Sequence, residues 1–213
     1  MSKAVIFDLD GVLISTDKLH YKAWKAIADQ EGIYFDEEIN NRLRGVSRMA
    51  SLEIVLERSD REYSQEEKEK LAEAKNDIYK ESLKELSPKD LFDHAVETIA
   101  ALKEKGIKVA IGSSSKNTRT ILRQLGIEDV FDAISDGNNI THSKPHPEVF
   151  LKASEFLGLE PEDCTVVEDA YAGIDAAKAA GMTAVGIGDA TNYEKCDHTI
   201  SDLYELVDLM EEN

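Results

Sequence analysis

The fold is decided by the stretch Ala4-Val5-Ile6-Phe7-Asp8-Leu9-Asp10-Gly11, which joins a short apolar run to two aspartates and a glycine. A continuous run of β-forming apolar residues predicts a strand that is buried on both faces, as in the centre of a parallel sheet. The run stops at Asp8, and Gly11 allows the chain to turn. We therefore expect a buried strand whose carboxyl end carries two carboxylates.

Three later apolar runs have the same character, at residues 109–111, 165–167 and 183–187. Each follows a helical pattern that ends in a glycine, which supplies the left-handed cap that ends many helices. These glycines are Gly106, Gly158 and Gly181. Alternation of strands and helices predicts an α/β fold with a doubly wound parallel sheet, a Rossmann-like core.

Residues 16–87 interrupt this alternation, because they contain no convincing strand and show four helical stretches. The last stretch runs from Ser64 to about Leu86, and Pro88 closes it. We interpret this segment as an all-helical cap domain inserted after the first strand. The predicted α/β catalytic core then comprises residues 1–15 and 88–213, and the cap comprises residues 16–87.

The composition limits the kinds of partner. The chain has 25 basic and 43 acidic residues, a net charge of −18, which argues against nucleic acid as a partner. The two cysteines fit neither a disulfide framework nor a metal-ligand spacing. We expect no signal peptide, because few apolar positions precede Asp8, and no apolar run approaches the ~20 residues that span a membrane. We expect a cytoplasmic protein, free of membranes, that acts as a monomer on a small molecule.

Polar residues follow three of the predicted strands, where ligands bind in open α/β sheets. Asp8 and Asp10 follow the first strand, and Glu168 and Asp169 follow the run at residues 165–167. The second strand is followed by Ser113, Ser114, Ser115 and Lys116. Lys144 lies in the loop before a helix that we expect to start near Pro147. We therefore expect these side chains to converge at one edge of the sheet.

Such a set suits phosphoryl transfer. Carboxylate oxygens are ligands for Mg²⁺, which bridges protein carboxylates and phosphate oxygens. Asp8 can act both as a ligand and as a nucleophile that forms an acyl phosphate, with Asp10 as general acid and base. Ser113 and Lys144 would bind the oxygens of the transferred group, because this reaction depends mostly on positioning and charge neutralisation.

Each of these residues can also have a purely structural role, without a functional site. Asp8 and Asp10 can be exposed turn residues, and Glu168 with Asp169 can cap the following helix. Ser115 or Asn117 can cap the helix after the serine loop, and Lys144 with Pro145 can form a turn. The coincidence of these residues at predicted strand ends favours a functional site.

These residues resemble the four signature motifs of the haloacid-dehalogenase-like superfamily. The motifs occur in order as Asp8-Leu9-Asp10-Gly11-Val12-Leu13, Ser113, Lys144-Pro145 and Glu168-Asp169. The resemblance covers the whole chain, including the helical insertion. It implies that Asp8 is the nucleophile and Asp10 the acid and base. It also implies that Mg²⁺ is held by Asp8, the backbone carbonyl of Asp10 and Asp169, with Glu168 beside it.

Within the superfamily, the insertion resembles that of the β-phosphoglucomutases. The resemblance is carried by Thr16, His20, Trp24, Arg44, Gly45, Val46, Ser47, Arg48, Ser51, Lys75 and Asn76, and by the loop Ser113-Ser114-Ser115-Lys116-Asn117. Such enzymes convert β-glucose 1-phosphate to glucose 6-phosphate, with glucose 1,6-bisphosphate as the activating intermediate. By this resemblance Arg48, Ser115, Lys116 and Asn117 grip the second phosphate. Thr16 and His20 are placed among the catalytic residues. The sugar site would be lined by Trp24, Arg44, Gly45, Val46, Ser51 and Lys75.

Structural alternatives remain for the cap residues. Trp24 can pack in the core, Ser47 can cap a helix from Arg48 to Leu56, and Lys75 can be a solvated lysine of a charged helix. Two features depart from the family pattern, since Ser15 stands where an aspartate is common and Arg44 replaces a lysine. His142 and His146 flank Ser-Lys-Pro, and without a third ligand we interpret them as surface residues.

Two other functions remain open. A sugar-phosphate phosphatase of the same superfamily would share every core residue, and water would then attack the acyl phosphate. A catalytically silent binding protein on this fold would need none of the groups that the chain retains. The mutase interpretation depends on the provision for a second phosphate by Arg48 and the loop at residues 115–117.

Overall fold

The computed structural model describes residues 3–43 and 46–212. Within them, six parallel strands form one sheet in the order β3-β2-β1-β4-β5-β6. The strands are β1 Ala4–Phe7, β2 Lys108–Gly112, β3 Ala133–Ser135, β4 Cys164–Glu168, β5 Thr183–Gly186 and β6 His198–Thr199. This order is that of a doubly wound sheet with its first strand in the middle, which confirms the predicted fold class.

Nine α-helices accompany the strands among the described residues. They are α1 Asp17–Gln30, α2 Glu37–Asn41, α3 Arg48–Leu56, α4 Gln65–Leu83, α5 Ala95–Glu104, α6 Thr118–Gln124, α7 Glu148–Leu157, α8 Tyr171–Ala179 and α9 Glu205–Glu212. Four of them, α1 to α4, occupy the segment that the sequence predicts to be all helical. The helix expected near Pro147 begins at Glu148, with Pro147 as its N-cap residue.

The first strand is the centre of the sheet because all four of its residues are apolar. Each is fully buried, so both faces of β1 are covered, as its composition predicts. A core cluster on one face combines Ala4 and Ile6 with Val149 and Phe150 of α7 and with Ile174 of α8. The packing of helices on this strand fixes the position of the residues that follow it.

All four predicted strands are present, but two short strands were missed. The missed strands are β3, three residues long, and β6, two residues long at the edge of the sheet. Such short runs do not show a period in the sequence, because a strand signal needs four or more residues. Their pairing with β2 and β5 is a consequence of the assembled sheet.

The chain divides into two compact units, Met1–Ser15 with Ser87–Asn213, and Thr16–Leu86. The predicted boundaries differ from these by one residue. In the second unit, Ser64 caps α4 through a capping box with Glu67, and Ser47 caps α3 by accepting a hydrogen bond from the Ala50 amide. The second unit has its own apolar cluster, which includes Trp24.

No helix among the described residues is long and apolar enough to span a membrane.

Candidate active site

Three neighbouring strands bring polar side chains to the carboxyl edge of the sheet. In the register, Phe7 of β1 pairs with Ile111 of β2 and with Val167 of β4. Asp8 therefore follows β1 at the level of Gly112 and Glu168, the last residues of β2 and β4, and Ser113 comes directly after Gly112. This placement results from parallel pairing, since parallel strands end at the same edge.

Lys144 joins two of these strand ends. Its Nζ atom donates hydrogen bonds to Asp8 Oδ1 at 2.7 Å and to Glu168 Oε1 at 2.5 Å. The Lys144 side chain is only 10% exposed. Burial by itself lowers the pKa of Lys144, but the charges of Asp8 and Glu168 outweigh burial and raise the pKa above its ordinary value. Lys144 is therefore a largely buried cation held against the proposed nucleophile.

Three carboxylates cluster beside this lysine. Asp8, Glu168 and Asp169 each offer an oxygen, and these atoms lie within 4.8 Å of one another. Burial, followed by the charges of Glu168, Asp8 and Asp10, raises the pKa of Asp169 to about 8. Burial also raises the pKa of Glu168, although Lys144 opposes that shift. A divalent cation would relieve this repulsion, so the oxygen ligands present fit Mg²⁺. The carboxylate of Asp10 is not in the cluster.

Two glycines allow the carboxylates to approach the backbone. Gly11 has a φ of +89°, and a Cβ atom there would lie 2.0 Å from Asp169 Oδ2. A Cβ atom at Gly173 would lie 1.9 Å from Glu168 Cδ. Neither position tolerates a side chain without displacing a carboxylate of the cluster. The sequence predicts only a turn at Gly11, and the contact of this glycine with Asp169 is visible only in the folded chain.

The loop after β2 is ordered by its own hydrogen bonds. Ser113 is buried, and its Oγ atom accepts the Ser115 amide at 3.3 Å. The Oγ atom of Ser115 accepts the Asn117 amide at 3.2 Å. Lys116 is exposed and Asn117 is buried. Asn117 is the N-cap residue of α6 without a side-chain cap bond, and Glu168 accepts the Ala170 amide at the start of α8. The capping role considered for Glu168 is therefore observed, whereas the one considered for the Asn117 side chain is not.

In the second unit, a buried lysine meets a partly buried histidine. Lys75 is 3% exposed, and its Nζ atom lies 2.7 Å from His20 Nδ1. Burial, followed by the charges of Lys75 and Arg48, lowers the pKa of His20 to about 3. His20 is therefore neutral near pH 7 and accepts a hydrogen bond from Lys75. The interpretation of Lys75 as a solvated lysine was wrong, because α4 turns this residue inward.

The other residues predicted for the second unit differ in exposure. Trp24 is 2% exposed within the apolar cluster, and Ser51 is buried. Val46 is 43% exposed. The Nη1 atom of Arg48 lies 4.0 Å from Glu73 Oε2, and the Arg48 side chain is 30% exposed. Arg44 and Gly45 lie outside the described residues.

One residue of this group was missed. Tyr79 is 2% exposed, donates a hydrogen bond to Thr16 Oγ1 at 3.0 Å and stacks on the ring of His20 at 4.1 Å. It lies four residues after Lys75 on α4, so helical spacing places both on one face. That spacing is the signal that would have found it.

Comparison with known proteins identifies the family of the chain. The family model described as haloacid dehalogenase-like hydrolase matches residues 2–181. The chain belongs to the haloacid dehalogenase-like hydrolase family. The superfamily resemblance predicted from its motifs is thereby confirmed, and the chain is an enzyme of that superfamily.

The chain is also similar to individual proteins of known activity or structure. The chain is 45% identical over 188 residues to a β-phosphoglucomutase of Bacillus subtilis, covering 87% of this chain and 83% of that protein. A phosphorylated carbohydrates phosphatase of Thermotoga maritima is 34% identical, over 84% of this chain and 82% of that protein. The crystal structure of a β-phosphoglucomutase from Clostridium difficile superposes with a TM-score of 0.91 at 38% identity, covering 100% of this chain and 96% of that one.

Proposed function

We propose that this enzyme is a β-phosphoglucomutase, which interconverts β-D-glucose 1-phosphate and D-glucose 6-phosphate. The observation that carries the mutase assignment is the 45% identity to a protein of that name. The contact of Lys144 with Asp8 and Glu168 supports the phosphoryl-transfer chemistry itself. The phosphatase alternative has the support of the 34% identical relative. The same core chemistry serves both, so the acceptor of the phosphoryl group distinguishes them.

The proposed reaction uses Asp8 as the carrier of the phosphoryl group. One carboxylate oxygen of Asp8 attacks phosphorus, an O–P bond forms, and the bond from phosphorus to the sugar oxygen breaks. Asp10 gives a proton to the departing oxygen, and later takes one from the sugar hydroxyl that attacks the aspartyl phosphate. The cycle starts from the aspartyl phosphate: the 6-hydroxyl of β-glucose 1-phosphate takes the phosphoryl group from Asp8, which gives glucose 1,6-bisphosphate. Asp8 then attacks the phosphorus at the 1-position, so glucose 6-phosphate leaves and the aspartyl phosphate is formed again. In the phosphatase, water would take the place of that hydroxyl.

Lys144 and Ser113 position the reacting oxygens. Lys144 holds Asp8 Oδ1 and so orients the nucleophile, and its charge offsets the charge that the transferred group brings to buried carboxylates. Asp8, the backbone carbonyl of Asp10 and Asp169 would hold Mg²⁺, with Glu168 beside it. Bound Mg²⁺ would supply charge neutralisation at the phosphate oxygens.

The substrate roles of the second unit are part of the same proposal. Arg48 provides a cation for a second phosphate, together with the loop at Ser115, Lys116 and Asn117. His20 and Lys75 form a polar pair on a buried aromatic surface, since Lys75 Nζ lies 5.0 Å from the ring centroid of Trp24 and 4.7 Å from that of Tyr79. Such a surface suits a sugar, which has apolar ring faces and polar edges. Thr16, Arg44, Gly45, Val46 and Ser51 complete the proposed set.

A coupled assay tests the proposal. The enzyme is incubated with Mg²⁺, β-glucose 1-phosphate and a trace of glucose 1,6-bisphosphate, while glucose 6-phosphate and free phosphate are followed together. Rapid formation of glucose 6-phosphate with little free phosphate is expected. Free phosphate released in step with substrate loss would make the enzyme a phosphatase. Asp8→Asn is the control, because a variant without the nucleophile should show neither activity.

A further inference from the structure

The loop that carries Lys144 has a second group of ligand-type side chains, outside the carboxylate cluster. His142, His146 and Glu148 each offer a nitrogen or oxygen atom, and these atoms lie within 4.8 Å of one another. The two histidines were interpreted above as surface residues because no third ligand was evident in the sequence. The third is Glu148, the first residue of α7.

Glu148 organises this group. Its carboxylate accepts the backbone amides of Thr141 at 2.9 Å and His142 at 2.8 Å, and so closes the loop on the start of α7. It also contacts His142 Nδ1 at 3.0 Å. His142 Nδ1 and Glu148 Oε2 are thus at a separation that two ligands of one tetrahedral ion can have, once the ring proton moves to Nε2 by exchange with solvent. Glu148 therefore holds His142 ready for an ion.

The second histidine lies beside the first. The ring centroids of His142 and His146 are 4.6 Å apart. His146 Nδ1 accepts the Glu148 amide at 3.3 Å, a long hydrogen bond whose loss on metal binding costs little. Nitrogen ligands at 2.0–2.1 Å from a tetrahedral ion lie roughly 3.3 Å apart, so small rotations of the side chains suffice. Pro145 and Pro147 restrict the backbone on both sides of His146, which reduces the entropy lost on binding.

We propose that His142, His146 and Glu148 form a surface site for one borderline-soft divalent cation of the zinc class, separate from the magnesium carboxylates. Imidazole nitrogens prefer Zn²⁺, Ni²⁺ or Cu²⁺, whereas Mg²⁺ prefers oxygen ligands. The 63% exposure of the His142 side chain gives the ion access from solvent. A bound ion would tie His142 to His146 across the segment that delivers Lys144.

Equilibrium dialysis of the full chain against Zn²⁺, in excess Mg²⁺, tests the site. One Zn²⁺ per chain is expected, and His142→Ala and His146→Ala should each weaken binding about tenfold or more. The matched control is His94→Asn, because His94 is an exposed histidine with one carboxylate partner, Asp202 at 2.7 Å, and a φ of 60° that asparagine accepts. Equal Zn²⁺ binding by the wild type and both alanine variants would overturn the proposal.

Electron paramagnetic resonance of the Cu²⁺-loaded protein identifies the ligands. The expected spectrum shows nitrogen hyperfine coupling that weakens in His142→Ala and in His146→Ala but persists in His94→Asn. A spectrum with oxygen ligands alone would place the ion on other carboxylates and contradict the site. Because both histidines are exposed, these variants should keep the melting temperature of the metal-free protein, so loss of binding will report the ligands and not unfolding.

Discussion

Gly11 shows how one residue without a side chain supports the candidate site. Its φ of +89° and the 2.0 Å that would separate a Cβ atom there from Asp169 Oδ2 are two separate constraints. Gly181 has only the first, since its φ is +77° and a Cβ atom there would meet no atom within 4 Å. Substitutions at the two glycines can therefore be compared to separate the effect of backbone strain from the effect of displacing a carboxylate.

We predict that Gly11→Ala and Gly181→Ala each lose about 1 kcal/mol of unfolding free energy, because alanine is strained in the left-handed region. Only Gly11→Ala should also lose Mg²⁺ affinity and turnover, since its methyl group must displace Asp169. Chemical denaturation and Mg²⁺ titration of activity measure the two effects. If both variants kept wild-type Mg²⁺ affinity, the contact with Asp169 would have no role in the site.

His20 predicts a pH dependence of stability. Its folded-state pKa is about 3, below the ordinary 6.5, so the unfolded chain binds more protons between these values. Stability from this group is present above pH 6.5 and falls as the pH decreases. Between pH 7 and pH 5 the wild type should lose on the order of 2 kcal/mol more than His20→Gln, measured by urea unfolding.

His94 provides the contrast for this measurement. It is exposed, and its hydrogen bond with Asp202 raises its pKa. The contribution of His94 to the unfolding free energy is present at low pH and is lost as the pH rises through its folded-state pKa. This dependence is opposite in sign to that of His20. If His20→Gln and the wild type had parallel pH profiles, the folded protein would not hold His20 as a neutral ring.

At the scale of elements, α4 matters because it places Lys75 and Tyr79 in buried positions of the second unit. The helix is mostly charged, so its apolar burial is limited and its ends contribute much of its stability. Ser64 and Glu67 form a capping box in which the Ser64 amide donates to Glu67 Oε2 at 2.8 Å. The position of the Lys75–His20 pair thus depends on a cap eleven residues earlier in the chain.

We predict that Ser64→Ala lowers the unfolding free energy by about 1 kcal/mol, because the first amides of α4 lose a hydrogen-bond acceptor. Ser64→Asp should restore most of it, since aspartate caps equally well. Gln65→Ala, one residue on and exposed, is the matched control. Urea unfolding followed by circular dichroism makes the comparison, and an unchanged midpoint in Ser64→Ala would show that the cap is not needed.

At the scale of the whole molecule, the net charge of −18 and the buried carboxylates act together. Asp8, Glu168 and Asp169 repel one another where they converge, because their burial limits screening by water. A ligand that binds the folded state alone stabilises it by mass action. Divalent cations should therefore have an effect on stability that monovalent salt does not reproduce.

We predict that Mg²⁺ raises the melting temperature of the wild type and that a chelator reverses the rise. In Asp169→Asn the rise should disappear, while the metal-free variant should be at least as stable as metal-free wild type, because a repelled carboxylate is gone. Asp93→Asn, at an exposed position, should respond to Mg²⁺ as the wild type does. Differential scanning calorimetry tests this, and an unchanged Mg²⁺ response in Asp169→Asn would exclude Asp169 as a ligand.

The sequence by itself determined the central strand, the glycine-ended helices and the polar residues at the strand ends. These are local patterns, in which four apolar residues or one glycine dictate the conformation of their own segment. The hand of each crossover between parallel strands is also a general preference, whereas the order β3-β2-β1-β4-β5-β6 came from the structure. Asp8, Ser113, Lys144 and Glu168 could therefore be singled out before their contacts were known.

Only the tertiary structure decided the environment of individual side chains. The sequence does not show that Lys75 is buried against His20, that Gly11 faces Asp169, or that Glu148 joins His142 and His146. Each of these contacts joins residues whose distance depends on how several elements pack, and burial and charge act over a few ångströms of space. Local sequence patterns describe the conformation of a segment, whereas pKa values and ligand groups arise from neighbours that the chain brings together only when it is folded.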